Sequence, residues 1–361
     1  MTTRIFSLQA LPVIATALAL VSCGGGGGDA ASPTVTASGP GGWSIPVGGV
    51  VDGGPGKDGI PALNTPSFQR TSADNDTRDS TLVVGVFHEG EYRAFPHDIM
   101  NWHEVTNDTL NFNPYVLSYC PLTGSAVAWD VDDSSANAEF GVSGLLYNSN
   151  LILYDRQSDS NWSQMLEESV QGGRSGETPD RIQVVETTWA TWRAMYPDSW
   201  VLSRNTGHTR AYDQYPYGNY RSNEELLFPV THEDNRLHPK TRVIGIRSAN
   251  NSRVYQISDF GAVTQTINDQ FDSMSIVVVG NTAQNFAAIY NRSLPDGTLL
   301  TFSPLDGQLP NVMQDNEGNV YNIFGIAVSG PRSGTQLEST QSFTAMWFAW
   351  VAFFNDAEIY F

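Results

Sequence analysis

Apolar residues along this chain fall in short runs broken by turn residues, and a helical period is confined to a few places. Val83–Phe95 reads as a hairpin, with two apolar runs flanking "HEGE". Val243–Tyr255 reads the same way around "ANNS". A polar helical turn follows the first hairpin. Strand candidates come next, at Tyr115–Cys120 and Ala126–Trp129, with a further pair near Gly144–Tyr154. Helical spacing appears in Thr187–Tyr196 and in Phe343–Phe354. Trp189, Trp192 and Tyr196 form its apolar stripe, which reads as core. Strands exceed helices, so the predicted fold is mostly β or α+β.

The pattern also occurs twice. "VVGVFHEGEYRAF" answers "VIGIRSANNSRVY" at an offset of 160 residues, and "VTNDTLN" answers "TINDQFD" one residue further out. "VLSYCPLTGSAVAWD" aligns with "IVVVGNTAQNFAAIY", "GGRSG" with "GPRSG", and "TWRAMYP" with "AWVAFFN". Five matches in one order predict two tandem related repeats packed as one body. The first unit spans 53–205 and the second 241–361, with a Tyr/Arg-rich connector over 206–240 lying on the first unit.

A duplication separates two kinds of residue. Those present in both units serve folding; those present in one are freer to serve function. Asn107–Asp108 and Asn268–Asp269 are shared and are expected to cap a turn or helix. The "RSG" turns are shared, Trp162 is answered by Tyr321, and Asp155 by Asp315. By contrast His103 faces Val263 or Thr264, Glu104 faces Thr264 or Gln265, Cys120 faces Gly280, and Arg156 faces Asn316.

The N-terminus changes the setting. Arg4, a short apolar run and "LVSC" read as a lipoprotein signal over 1–22, with Cys23 the lipidated first residue of the mature chain. The Gly/Ser/Pro-rich stretch 23–52 reads as a flexible tether. Gly24 after the cysteine favours the periplasmic face of the bacterial outer membrane, so the expected partner is the membrane, held through lipid on Cys23. Cys120 is then the only cysteine left, and no internal disulfide forms. The net charge is −19; without Arg4, 18 basic residues face 38 acidic ones. That balance excludes nucleic acid as a partner.

The candidate chemistry concentrates in the first unit. Cys120 and His103, with Glu104, could form a nucleophile and its base, or the ligands of a copper or zinc ion. Against this, a free cysteine often packs as a small hydrophobe. Asp155 and Arg156 could bind a carboxylate or phosphate ligand. Arg210, Tyr212 and Tyr217 could line a groove, in the same connector as His208 and Tyr220. No phosphate-binding glycine loop, HExxH, GxSxG or paired-cysteine zinc spacing occurs. Two readings follow. One is a lipid-anchored envelope protein with a Cys/His-centred metal or thiol site. The other is a non-enzymatic ligand-binding or structural lipoprotein of the envelope.

"GGPGKDGIPALNTPSF", "NWHEVTND", "YCPLTGSAVAWD", "FGVSGLLYNSNLILYDRQSDSNWSQ" and "HTRAYDQYPYGNY" resemble the bacterial family called domain of unknown function 3179, from about residue 52 to the end. The resemblance implies a secreted or lipid-anchored bacterial protein and carries no settled activity. Members often show Cys-Pro-Leu-Cys; here the second position is Thr123, which removes the second sulfur that a dithiol would need.

Overall fold

A computed structural model describes residues 42–131 and 139–360 of the 361-residue chain. The signal segment 1–22, Cys23 and the tether as far as 41 lie outside the described residues.

Alternating apolar residues form the expected first hairpin, Leu82–His88 with Glu91–Pro96, in a register that sets Val84 opposite Phe95. Val184–Thr188 flanks it antiparallel, Trp200–Leu202 joins it parallel, and Phe68–Arg70 completes the sheet. Around Arg242–Arg247 and Ser252–Gln256 the pairing has the same sense. Ser342–Met346 lies antiparallel on one side and Glu358–Ile359 parallel on the other. Two further sheets are meanders. Val105–Leu110, Asn113–Cys120 and Ser125–Asp130 form one, edged by Leu63–Asn64 and Asp180–Ile182. Gln265–Phe271, Met274–Asn281 and Phe286–Asn291 form the other. The last pair holds Val50–Asp52, Phe140–Tyr147, Asn150–Asp155, Asn161–Ser163 and Glu168–Gln171 in one sheet. The other has Phe302–Pro304, Asn311–Asp315, Val320–Asn322 and Ala327–Ser329. The protein is therefore mostly β, with several small sheets.

Among the described residues three α-helices of 7 residues punctuate the strands: α1, His97–His103; α2, Trp189–Met195; and α3, Trp347–Phe353. The helical period predicted over Thr187–Tyr196 and Phe343–Phe354 overran at its start, because Val184–Thr188 and Ser342–Met346 are strands running into the helices. Helices α2 and α3 each drop a tryptophan onto a glycine of the neighbouring strand. A Cβ on Gly85 would stand 2.0 Å from the Trp192 ring, and one on Gly245 2.3 Å from Trp350. Those two glycines are thus the sockets for the helices.

The shared residues act as clamps, though not as the expected caps. Asn107 lies on a strand, donates to Phe140 O and accepts from Phe140 N. Asn268 makes the same pair of bonds with Phe302. Asp108 takes Arg93 and Asp269 takes Arg253. Trp162 donates to Asp155 and Tyr321 to Asp315.

Two further expectations are corrected. The tether does not run to residue 52: Ser44 N donates to Val170 O, and Val50–Asp52 is a strand against Phe140–Tyr147. The alignment of Cys120 with Gly280 slips by one. Cys120 faces Ser125 in its hairpin as Asn281 faces Phe286, so Tyr119 is the residue that matches Gly280.

Candidate functional site beneath the connector

Pro96, with φ near −62°, ends a strand and opens α1, and Asp98 favours its first turn. The helix ends at Glu104, which takes φ +59° so that the chain can double back into Val105–Leu110. A left-handed, buried glutamate is an unusual stop, since glycine is the ordinary residue there. Its carbonyl accepts Tyr119 N at 2.7 Å, locking the stop to the neighbouring strand. The side chain is 4% exposed, and burial pushes the carboxyl up to about 8, with a hydrogen bond from Tyr217 opposing only part of that.

Cys120 ends its strand beside this acid and is 1% exposed. Burial and then the Glu104 charge push its thiol up to about 11, while hydrogen bonding from Thr123 pulls the other way. Sγ points to Ser149 O at 4.0 Å. At neutral pH both groups therefore hold their protons. Tyr217 and Tyr220, from the connector, close over them, and both phenols are raised first by burial. Tyr220 is 2% exposed and its hydroxyl has no hydrogen-bond partner among the described residues. Thr123, where relatives often carry sulfur, binds Ser125 and Asn150 in a buried polar net that also includes Gln164.

His103 is not the partner of Cys120. Its Nδ1 lies 2.8 Å from Pro61 O, an acceptor only, so Nδ1 carries the proton. Nε2 then accepts from Tyr212 OH at 2.7 Å. Burial pulls the imidazole down to about 4, against the bond to Pro61 and with His208 and Arg210 adding to the fall. Both ring nitrogens are spent on the fold. The copper or zinc expectation does not fit this arrangement: no three His, Cys, Asp or Glu side chains among the described residues could hold a metal, and the thiol beside Glu104 is protonated.

The remaining predicted residues divide. Tyr212 is buried between His103 and Thr206, so it braces rather than lines a groove. Asp155 accepts from Trp162 and Ser158 inside a tight turn. Arg156 does bind a carboxylate bidentately, but that carboxylate is Asp58 of the same chain, at 2.9 Å through both arms. Neither residue is left for a ligand. Arg210 and Tyr217 do line an open cleft of about 420 Å³, together with Ile60, Asn101 and Trp102. Tyr217 is thus the wall between that cleft and the Glu104–Cys120 pair.

Sequence reasoning missed a second polar group behind the cleft. His97 Nε2 lies 3.1 Å from Glu186, which also takes Arg242, and both acid and imidazole are buried. Burial would raise the Glu186 carboxyl, but Arg242 and His97 hold it below the usual range. The His97 ring lies 4.2 Å from that of Tyr119, whose hydroxyl accepts from Arg221 at 3.0 Å, and Arg221 also donates to Asn101 at 2.8 Å. Strand register places Ile257, Thr344 and Gly280 where His97, Glu186 and Tyr119 stand. The signal was available: each of the three titratable groups stands where the matching register position has none.

The long motifs and the fold they occupy point to one family. The match to the family described as Protein of unknown function (DUF3179) covers residues 57–357. The chain belongs to that family. No curated protein matches the chain, and no solved structure does. Among the described residues no helix is long and apolar enough to cross a membrane.

Proposed function

We propose that this family member is a ligand-binding protein of the bacterial envelope, tethered by lipid on Cys23, on the periplasmic face of the outer membrane. Its body is read as two tandem related units, of which only the first carries a site. The cleft between α1 and the connector binds a small molecule and does no covalent chemistry on it. The observation that carries this reading is a thiol and a carboxyl buried together behind Tyr217, next to an open cleft, where burial pushes both groups towards keeping their protons. A thiol in that state is a poor nucleophile and a poor metal ligand, while the cleft falls in the size range of small-molecule sites.

Support for the duplication comes from the recurring strand order, the two glycine–tryptophan sockets and the two asparagine clamps. Support for a site in the first unit comes from buried polar groups that the second unit replaces. Such groups cost stability, and a fold that stands without them in one half does not need them in the other.

The test is a thiol titration of the body with an aromatic disulfide at pH 7, run beside metal analysis of protein purified without chelator. The expected result is no reaction until denaturant unfolds the chain, and no stoichiometric metal. A fast-reacting native thiol, or bound zinc or copper that disappears in Cys120→Ser, would return the site to thiol or metal chemistry.

A further inference from the structure

We infer that the cleft over α1 takes a small anion with a flat apolar body, an aromatic carboxylate being the simplest case. This rests on the cleft being a binding site, as proposed above. The inference comes from charge and shape together. Most arginines of this acidic chain are matched with a carboxylate, as Arg93, Arg156, Arg204 and Arg332 illustrate. Arg210 and Arg221 form no ion pair among the described residues. Arg210 is exposed in the cleft wall, and its one hydrogen bond among the described residues runs to the carbonyl of Thr209 beside it. Arg221 reaches the same wall from behind through Asn101 and stacks over Tyr215 at 4.0 Å.

The two buried acids behind this wall leave Arg210 unmatched, although Glu186 feels the charge of Arg221. Glu104 keeps its proton at neutral pH, and Glu186 is already matched by Arg242 and His97. The cleft is thus a positive spot on a molecule of net charge −19, and such a spot concentrates anions. Its apolar side is supplied by Trp102 and Ile60. The Trp102 indole N–H is held by Gln214 O at 3.2 Å, which fixes the ring as a face for a planar group. A guanidinium with free N–H groups binds a carboxylate through paired hydrogen bonds.

The experiment is titration calorimetry of the soluble body with 2-naphthoate, its neutral amide and 2-naphthylmethylammonium. Arg210→Ala and Trp102→Ala are the variants; Arg210 is exposed, so its removal leaves the fold intact. Naphthoate should bind best, and Arg210→Ala should weaken it roughly 10- to 100-fold, as expected for loss of a charge-assisted bond, while leaving the amide unchanged. Equal binding of acid and amide, or no effect of Arg210→Ala, overturns the anion assignment; if Trp102→Ala still weakens binding, the cleft reading stands. Failure of all three probes to bind at millimolar concentration removes the cleft reading as well.

Discussion

Glu104 carries the clearest consequence at the scale of one residue. Its carboxyl stands near 8 in the folded protein against 4.5 for an ordinary glutamate. Between those values the folded state keeps a proton that the unfolded chain has released, so stability falls as pH rises. Between pH 6.5 and 8 the loss is on the order of 1–2 kcal/mol. Glu104→Gln keeps the shape of the protonated acid and removes its titration. Urea unfolding of both proteins at pH 6.5 and 8 should show the parent losing more stability than the variant by about that amount. Comparing the two cancels Lys240, whose amine is pulled down to about 8 by burial and which acts in the opposite sense. An equal loss in both would mean that Glu104 is ionised in the folded state. The sequence singled out Glu104 and Cys120 by their absence from the second unit, and Arg210 and Tyr217 as connector residues that could line a groove. It mispaired Cys120 with His103 because proximity along the chain says nothing about which way a short helix turns its last side chain. His103 faces Pro61 and Tyr212, and only the next residue, in a left-handed conformation, faces the thiol's surroundings.

At the scale of elements, most of the fold was legible where local pattern decides it. Alternation gave the hairpins, and spacing gave the tryptophan stripes that dock on Gly85 and Gly245. What could not be read was pairing set at a distance: Val50–Asp52 looked like tether because glycine surrounds it, yet it completes a sheet edge. One turn departs from its own rules. The Val105–Cys120 hairpin closes through Asn111 and Phe112, both at positive φ, and Phe112 is 96% exposed. Asparagine suits such a turn, and glycine ordinarily follows it. A bulky L-residue there costs about 1–2 kcal/mol, of which the greater chain freedom of glycine would give back a part. Phe112→Gly is therefore expected to stabilise the protein by roughly 0.5–1 kcal/mol, seen as a higher urea midpoint with an unchanged slope. A lower midpoint would show that the ring makes a contact in solution that its exposure hides.

At the scale of the whole molecule, the first and last parts of the chain are built into one another. Val105, Cys120, Trp129 and Trp162 share a core with Val243, Phe343, Trp347 and Trp350. A second core joins Val83, Trp189 and Trp192 to Val277, Tyr290 and Phe324. Polar ties follow the same line. Arg181 donates to Thr340 O and Ser342 O, Asn148 to Ala352 O, and Arg242 reaches Glu186. A segment cut at the connector would expose half of each core to water and leave Glu186 and His97 without Arg242. Exposing that much apolar surface costs far more than the marginal stability of a domain. The residues 42–205 and 241–361, made separately, should therefore lack near-UV circular dichroism, while the intact body unfolds in a single transition that coincides by tryptophan fluorescence and by circular dichroism. Two separated transitions, or a folded half, would mean that each part holds a sufficient core of its own, and that the shared tryptophans are an interface between domains.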